Sequence, residues 1–154
     1  MFWVVLSVLS SLALYAADPL VGVWKLDPAK SSFHGKHPRS FLETITQANG
    51  GLRIRREMVN AAGKVIDRTY FYVFDGKSHL AEFEADANHS HHTIRCERKG
   101  SGEIERETNH DHGKAISSNR HTLSADGKTL TLVRSGSDDG TGKPYRETLI
   151  LDKR

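Results

Sequence analysis

The chain has 154 residues, 37% of them hydrophobic, and a net charge of +3 from 22 Lys and Arg against 19 Asp and Glu. Such a length suits one domain, able to bury about two thirds of its unfolded surface. Interleaved basic and acidic residues argue against the segregated patch of a nucleic-acid binder, and the lone Cys96 excludes an intramolecular disulfide.

Residues 1–17 carry no charged side chain and form an apolar run that ends in Tyr15-Ala16-Ala17. This is the pattern of a secretory signal peptide, too short for the roughly 20 apolar residues that span a bilayer. Cleavage after Ala16 or Ala17 leaves 18–154 as one domain, periplasmic or secreted. No cysteine stands near the cleavage site to take a lipid, and no transmembrane segment follows it.

The first extended run, Val21–Asp27, holds Trp24, the only tryptophan of 18–154. Gly22 admits a close neighbour, Trp24 brings the largest apolar surface of any side chain, and Pro28 has no N–H to continue a ladder. Pro28–Pro38 is the one long irregular connection. It either folds over a barrel mouth or crosses the base.

Next comes Phe41–Gln47, with Phe41, Glu43, Ile45 and Gln47 on one face. Leu52–Val59, Val65–Phe74, Leu80–Ala85, His92–Lys99, Glu103–Asn109, Ala115–Ser124, Thr129–Ser135 and Tyr145–Asp152 follow. Between them Asn49-Gly50, Asp75-Gly76, Gly100-Ser101, Asp126-Gly127 and similar pairs recur about every 13 residues, the strongest short-range hairpin signal. No window has a capped helical period. The fold class is all-β. An open meander would expose two edges that closure removes, so an antiparallel up-and-down barrel of about 8–10 strands is favoured over a sandwich.

Gly22-Val23-Trp24 resembles the lipocalin signature. That likeness implies that Trp24 closes the barrel floor and that Arg154, beyond the last strand, lies across its ring. A wider likeness rests on Trp24-Lys25-Leu26-Asp27-Pro28-Ala29-Lys30-Ser31, Asp75-Gly76-Lys77, Ser124–Thr131 and Gly142-Lys143-Pro144. These stretches are similar to small secreted bacterial lipocalin-like (calycin) β-barrel proteins of unassigned function. Ten strands bring the chain nearer the fatty-acid-binding branch, without that branch's helical lid.

A barrel of this size holds one small ligand or fills its interior with side chains. Phe41, Ile45, Tyr70, Tyr72, Phe74, Phe83, Leu130 and Leu132 are the candidate lining. Residues 91–123 carry few apolar side chains, and Arg95, Arg98, Glu103, Glu105, Arg106 and Glu107 crowd together, so one wall is polar. The reading is an exported binding protein for a small amphipathic or hydrophobic molecule. A polar wall disfavours a long acyl chain.

Two alternatives stand beside it. If Gly100-Ser101 turns the hairpin with residue 99 opposite 102, His91 faces His110 and His89 faces His112, within reach of one Zn²⁺ or Cu²⁺. A register one residue shorter sets Cys96 against Ile104 and Arg95 against Glu105, and dissolves that square. The other alternative is a protein-interaction or inhibitor module on a filled barrel. No nucleophile elbow and no metal-protease motif is present, so the chain is expected not to be an enzyme, and no cofactor other than that metal is in view.

Overall fold

The computed structural model describes residues 17–80, 92–110, 114–137 and 142–154. The signal-like segment and Phe83 lie outside them. Ten strands run in chain order as Gly22–Leu26 (β1), Ser40–Ala48 (β2), Gly51–Val59 (β3), Val65–Val73 (β4), Ser78–Leu80 (β5), Thr93–Gly100 (β6), Glu103–His110 (β7), Lys114–Leu123 (β8), Thr129–Ser137 (β9) and Pro144–Lys153 (β10). No helix among the described residues is long and apolar enough to cross a membrane.

All ten belong to one antiparallel sheet of order β4-β3-β2-β1-β10-β9-β8-β7-β6-β5. The first and last strands pair, with Trp24 opposite Lys153 and Leu26 opposite Leu151, so the sheet curls into a nearly closed barrel. The ladder does not close everywhere. Its two ends, β4 and β5, are consecutive in the chain but not hydrogen-bonded to each other. Side chains bridge this seam: the Arg106 guanidinium of β7 lies 4.8 Å from the Tyr70 ring centroid and 5.9 Å from that of Tyr72, both on β4.

Period-two alternation decides what faces inward. On β2, Phe41, Glu43 and Ile45 are buried; on β3, Leu52, Ile54 and Arg56; on β9, Leu130 and Leu132. Together with Leu20, Trp24, Ile104, Leu149 and Leu151 the apolar members make one continuous core.

One end is closed. The Trp24 indole N–H donates to the Leu20 carbonyl at 2.9 Å, and the ring is wholly buried. Asp18 pairs with Arg98, whose guanidinium sits 4.6 Å over the Phe74 ring centroid. The cation over the indole is Lys153, its Nζ 5.1 Å from the ring centroid, rather than Arg154. Alternation explains the difference: Lys153 stands opposite Trp24 in the ladder and shares its face, whereas Arg154 points away and gives its backbone N–H to Val23. Gly22, at φ +156°, makes room for this arrangement, since a Cβ there would sit 2.9 Å from Lys153 Cε.

The β6–β7 register matches neither sequence-based alternative. Gly100 pairs Glu103 around a Ser101-Gly102 turn, and a bulge at Lys99 shifts the ladder, so Arg98 faces Ile104, Cys96 faces Arg106 and Arg95 faces Glu107. The extra residue keeps Ile94, Cys96, Ile104 and Arg106 on the inner face.

Candidate functional site

The barrel interior is partly ionic. Arg56 stands opposite Glu43 in the β2–β3 ladder and donates from Nε to Glu43 Oε2 at 2.9 Å, with a second bond from Nη2. The other carboxylate oxygen, Oε1, lies 2.8 Å from His121 Nε2 on the opposite wall. Glu43 and His121 have no exposed surface, and Arg56 very little.

Burial opposes a charge on Glu43, but the Arg56 guanidinium and His121 outweigh it and hold the carboxyl far below the ordinary carboxylate range. Burial likewise opposes the Arg56 charge, and Glu43 more than restores it. An ion pair this deep persists because both partners are hydrogen-bonded.

Aromatic rings complete the shell. The Arg56 guanidinium lies 5.3 Å from both the Phe41 and Tyr70 ring centroids, so Tyr70 is held between Arg56 and Arg106. Burial raises the Tyr70 phenol, yet Arg56, Arg106 and Arg68 together bring it below its ordinary value. Tyr72 responds differently: burial pushes its phenol well above the usual range despite Arg106 and Arg56 nearby.

Arg106 is 6% exposed, and its Nε and Nη1 have no hydrogen-bond partner among the described residues. Directly across the β7–β8 ladder stands Asn119, and across β8–β9 from that stands Arg134. Asn119 Oδ1, Thr108 Oγ1, Tyr72 OH and His121 Nδ1 are also buried without a hydrogen-bond partner. Such atoms are scarce in folded proteins because each costs about 1–3 kcal/mol. Five residues of this kind on inner-face positions mark the chemistry of this barrel.

The end opposite Trp24 carries a cleft of about 160 Å³ between the 28–38 connection and the β3–β4 turn, lined by Phe33, Pro38, Phe41, Met58, Arg134 and Leu149 among others. Arg134 is 29% exposed and pairs with Glu147 at 3.0 Å. Burial, with Arg56 adding to it, lowers its pKa from the ordinary arginine value. The 28–38 connection is stitched to β10 by reciprocal Ser32–Thr148 hydrogen bonds of 2.8 Å, so it borders this mouth rather than crossing the base.

Of the predicted lining, Phe41 reaches the cleft. Ile45, Tyr70, Tyr72, Leu130 and Leu132 are packed in the core, and Phe74 lies half-buried under Arg98 at the closed end. Most of the charged cluster of β6 and β7 lies outside. Arg95 pairs with Glu97, and Arg120 with Glu105 at 3.0 Å, while Arg98 turns to Phe74 and Asp18 at the closed end and Arg106 turns inward to the ionic site. His89, His91 and His112 lie outside the described residues, and His110 is placed only as the last residue of β7. The register that would set His91 against His110 is not the one formed.

Glu43, Arg56, Arg106, Asn119, His121 and Arg134 were not singled out as site residues by the sequence reading. For Glu43, Arg56, Arg106 and Arg134 the signal was parity: each shares an inward face with a buried apolar residue two positions away, as Glu43 does with Phe41 and Ile45, whereas Asn119 and His121 have no such neighbour.

Two solved structures share this architecture. The zebrafish ileal bile acid-binding protein, crystallised with cholic acid, is 10% identical over 88% of this chain and 99% of its own, with a TM-score of 0.50. As-p18, an extracellular fatty acid-binding protein, is 12% identical over 90% of this chain and 98% of its own, with a TM-score of 0.55. At such identity the likeness establishes the fold: a ten-stranded barrel of the calycin kind. No protein-family model matches the sequence, and no curated protein matches it.

Proposed function

We propose that the protein is an exported carrier that binds one small amphipathic anion in its lumen, the acid group at Arg106 and the apolar part toward the mouth cleft. The observation that carries this reading is the buried Arg106 guanidinium, whose Nε and Nη1 donors find no partner among the described residues. The inner carboxylates Glu43 and Glu147 are engaged by Arg56 and Arg134. An arriving carboxylate or sulfonate would supply charge-assisted hydrogen bonds to Arg106, which are the strong ones. Phe33, Phe41, Met58 and Leu149 offer the apolar contact. The cleft volume, close to that of a cavity that takes up benzene, favours a compact body over a long acyl chain. Cholic acid and fatty acids, the ligands named for the two similar barrels, are amphipathic anions as well. Export rests on the uncharged residues 1–17.

Calorimetric titration with 3-phenylpropionate and with its neutral amide tests the reading. The acid is expected to bind at least about tenfold more tightly, since hydrogen bonds to a charged group outweigh neutral ones. Equal affinities, or no binding by either, would overturn it. The mass of the processed chain, starting at Ala17 or Asp18, tests export.

A further inference from the structure

The inner wall of β7 and β8 carries more than a cation. Arg106 and Thr108 lie two apart on one strand, Asn119 and His121 two apart on the next, and Arg106 pairs directly with Asn119. Directly opposed inner residues place their Cβ atoms about 4.5–5.5 Å apart, so these four residues form a contiguous polar patch. All four are buried, at 6, 3, 3 and 0% exposure respectively, and each carries a side-chain atom with no hydrogen-bond partner among the described residues.

The patch is mixed in sign. Arg106 can only donate. Asn119 Oδ1 is a carbonyl oxygen and can only accept, and Thr108 Oγ1 does either. His121 Nε2 faces the Glu43 carboxylate at 2.8 Å, so that nitrogen is already engaged. A plain hydrocarbon acid would satisfy Arg106 and bury the Asn119 acceptor against apolar atoms.

We infer that the preferred ligand carries, besides its acid group, a hydroxyl or N–H donor that bonds to Asn119 Oδ1. The inference rests on the anion-binding reading above and narrows it to a compact hydroxylated or similarly donor-bearing acid. Arg134, which lines the mouth cleft, stands next to Asn119 in the β8–β9 ladder, so the patch and the cleft are neighbours.

The test compares 3-phenylpropionate with 3-(4-hydroxyphenyl)propionate and 3-hydroxy-3-phenylpropionate on the unmodified protein by calorimetry, then repeats the set on Asn119→Leu and Thr108→Val. At least one hydroxylated acid should bind about tenfold more tightly than the parent, the scale of one well-made hydrogen bond. Asn119→Leu should reduce that ratio toward one. If neither hydroxylated acid gains, or if the gain survives in both variants, the inference is overturned while anion binding stands. If none of the three acids binds, the anion-binding reading itself falls.

Discussion

His121 Nε2 lies 2.8 Å from Glu43 Oε1, tying β8 to β2 across the barrel interior although 78 residues separate the two in sequence. With Arg56 on the other carboxylate oxygen, Glu43 becomes the hydrogen-bonded link between opposite walls. The lumen is therefore organised by charge as much as by apolar packing.

Removing one partner of this link should be costly. Arg56→Met leaves a buried carboxylate facing only His121, and breaking a buried pair from one side costs about 3–5 kcal/mol. Urea unfolding checks this, and a loss below about 1 kcal/mol would show that Glu43 reaches solvent or takes up a proton at little cost.

The same link gives stability an acid limb. Arg56 and His121 overcome burial to keep Glu43 ionised in the fold at pH values where a free glutamate, near 4.5, is already protonated. The unfolded chain then binds the extra proton, so the contribution is complete above pH 4.5 and drains away as pH falls toward the depressed value. Melting temperatures between about pH 5 and pH 3 should fall steeply in the parent and more gently in Glu43→Gln.

An alkaline limb has the opposite origin. Burial pushes the Cys96 thiol from 9.0 up to about 12 and raises Tyr72 from 10.0. Both groups stay neutral in the fold and ionise more readily once unfolded. Their contribution is whole below pH 9.0 and is lost as pH rises through the folded values. Tyr70, held below its ordinary value, works partly against this trend. Cys96→Ala should flatten the decline between about pH 9 and pH 11, measured by thermal melts.

The closed end makes its own prediction. With residues 1–16 removed, Trp24 is the sole indole, fully buried and bonded to Leu20. Its fluorescence should resist iodide quenching. Lys153→Ala should cost about 0.5–1 kcal/mol by losing the cation over the ring. Arg154→Ala should change stability by less than about 0.5 kcal/mol, as exposed positions generally do. A larger effect at Arg154 than at Lys153 would reverse the assignment.

Much of this architecture was legible in the residues. The Asn-Gly and Asp-Gly rhythm marks hairpins, and Trp24 with its flanking glycine marks the strand that meets the last one. What stayed hidden had two physical causes. The bulge at Lys99 adds a residue that no turn signal announces, and one residue changes which side chains oppose. Inward charges were hidden because an isolated Glu or Arg belongs in water by default, and the compensation for Glu43 comes from β3 and β8, both remote in sequence. The seam between β4 and β5 escaped notice as well. Hairpin spacing predicts that neighbours pair, yet here Tyr70 and Tyr72 meet Arg106 instead of a ladder.

Arg106→Leu addresses the central claim most directly, because it separates binding from folding. A guanidinium buried without full hydrogen bonding is a burden on the free protein, offset in part by its contacts with the Tyr70 and Tyr72 rings, so its replacement by leucine should leave stability within about 1 kcal/mol of the parent. Titration of 3-phenylpropionate into the parent and this variant, with urea unfolding of both, is the decisive measurement. A drop in affinity of at least about tenfold with stability kept within about 1 kcal/mol is the expected result. Equal affinity in the two proteins would contradict an anion site at Arg106.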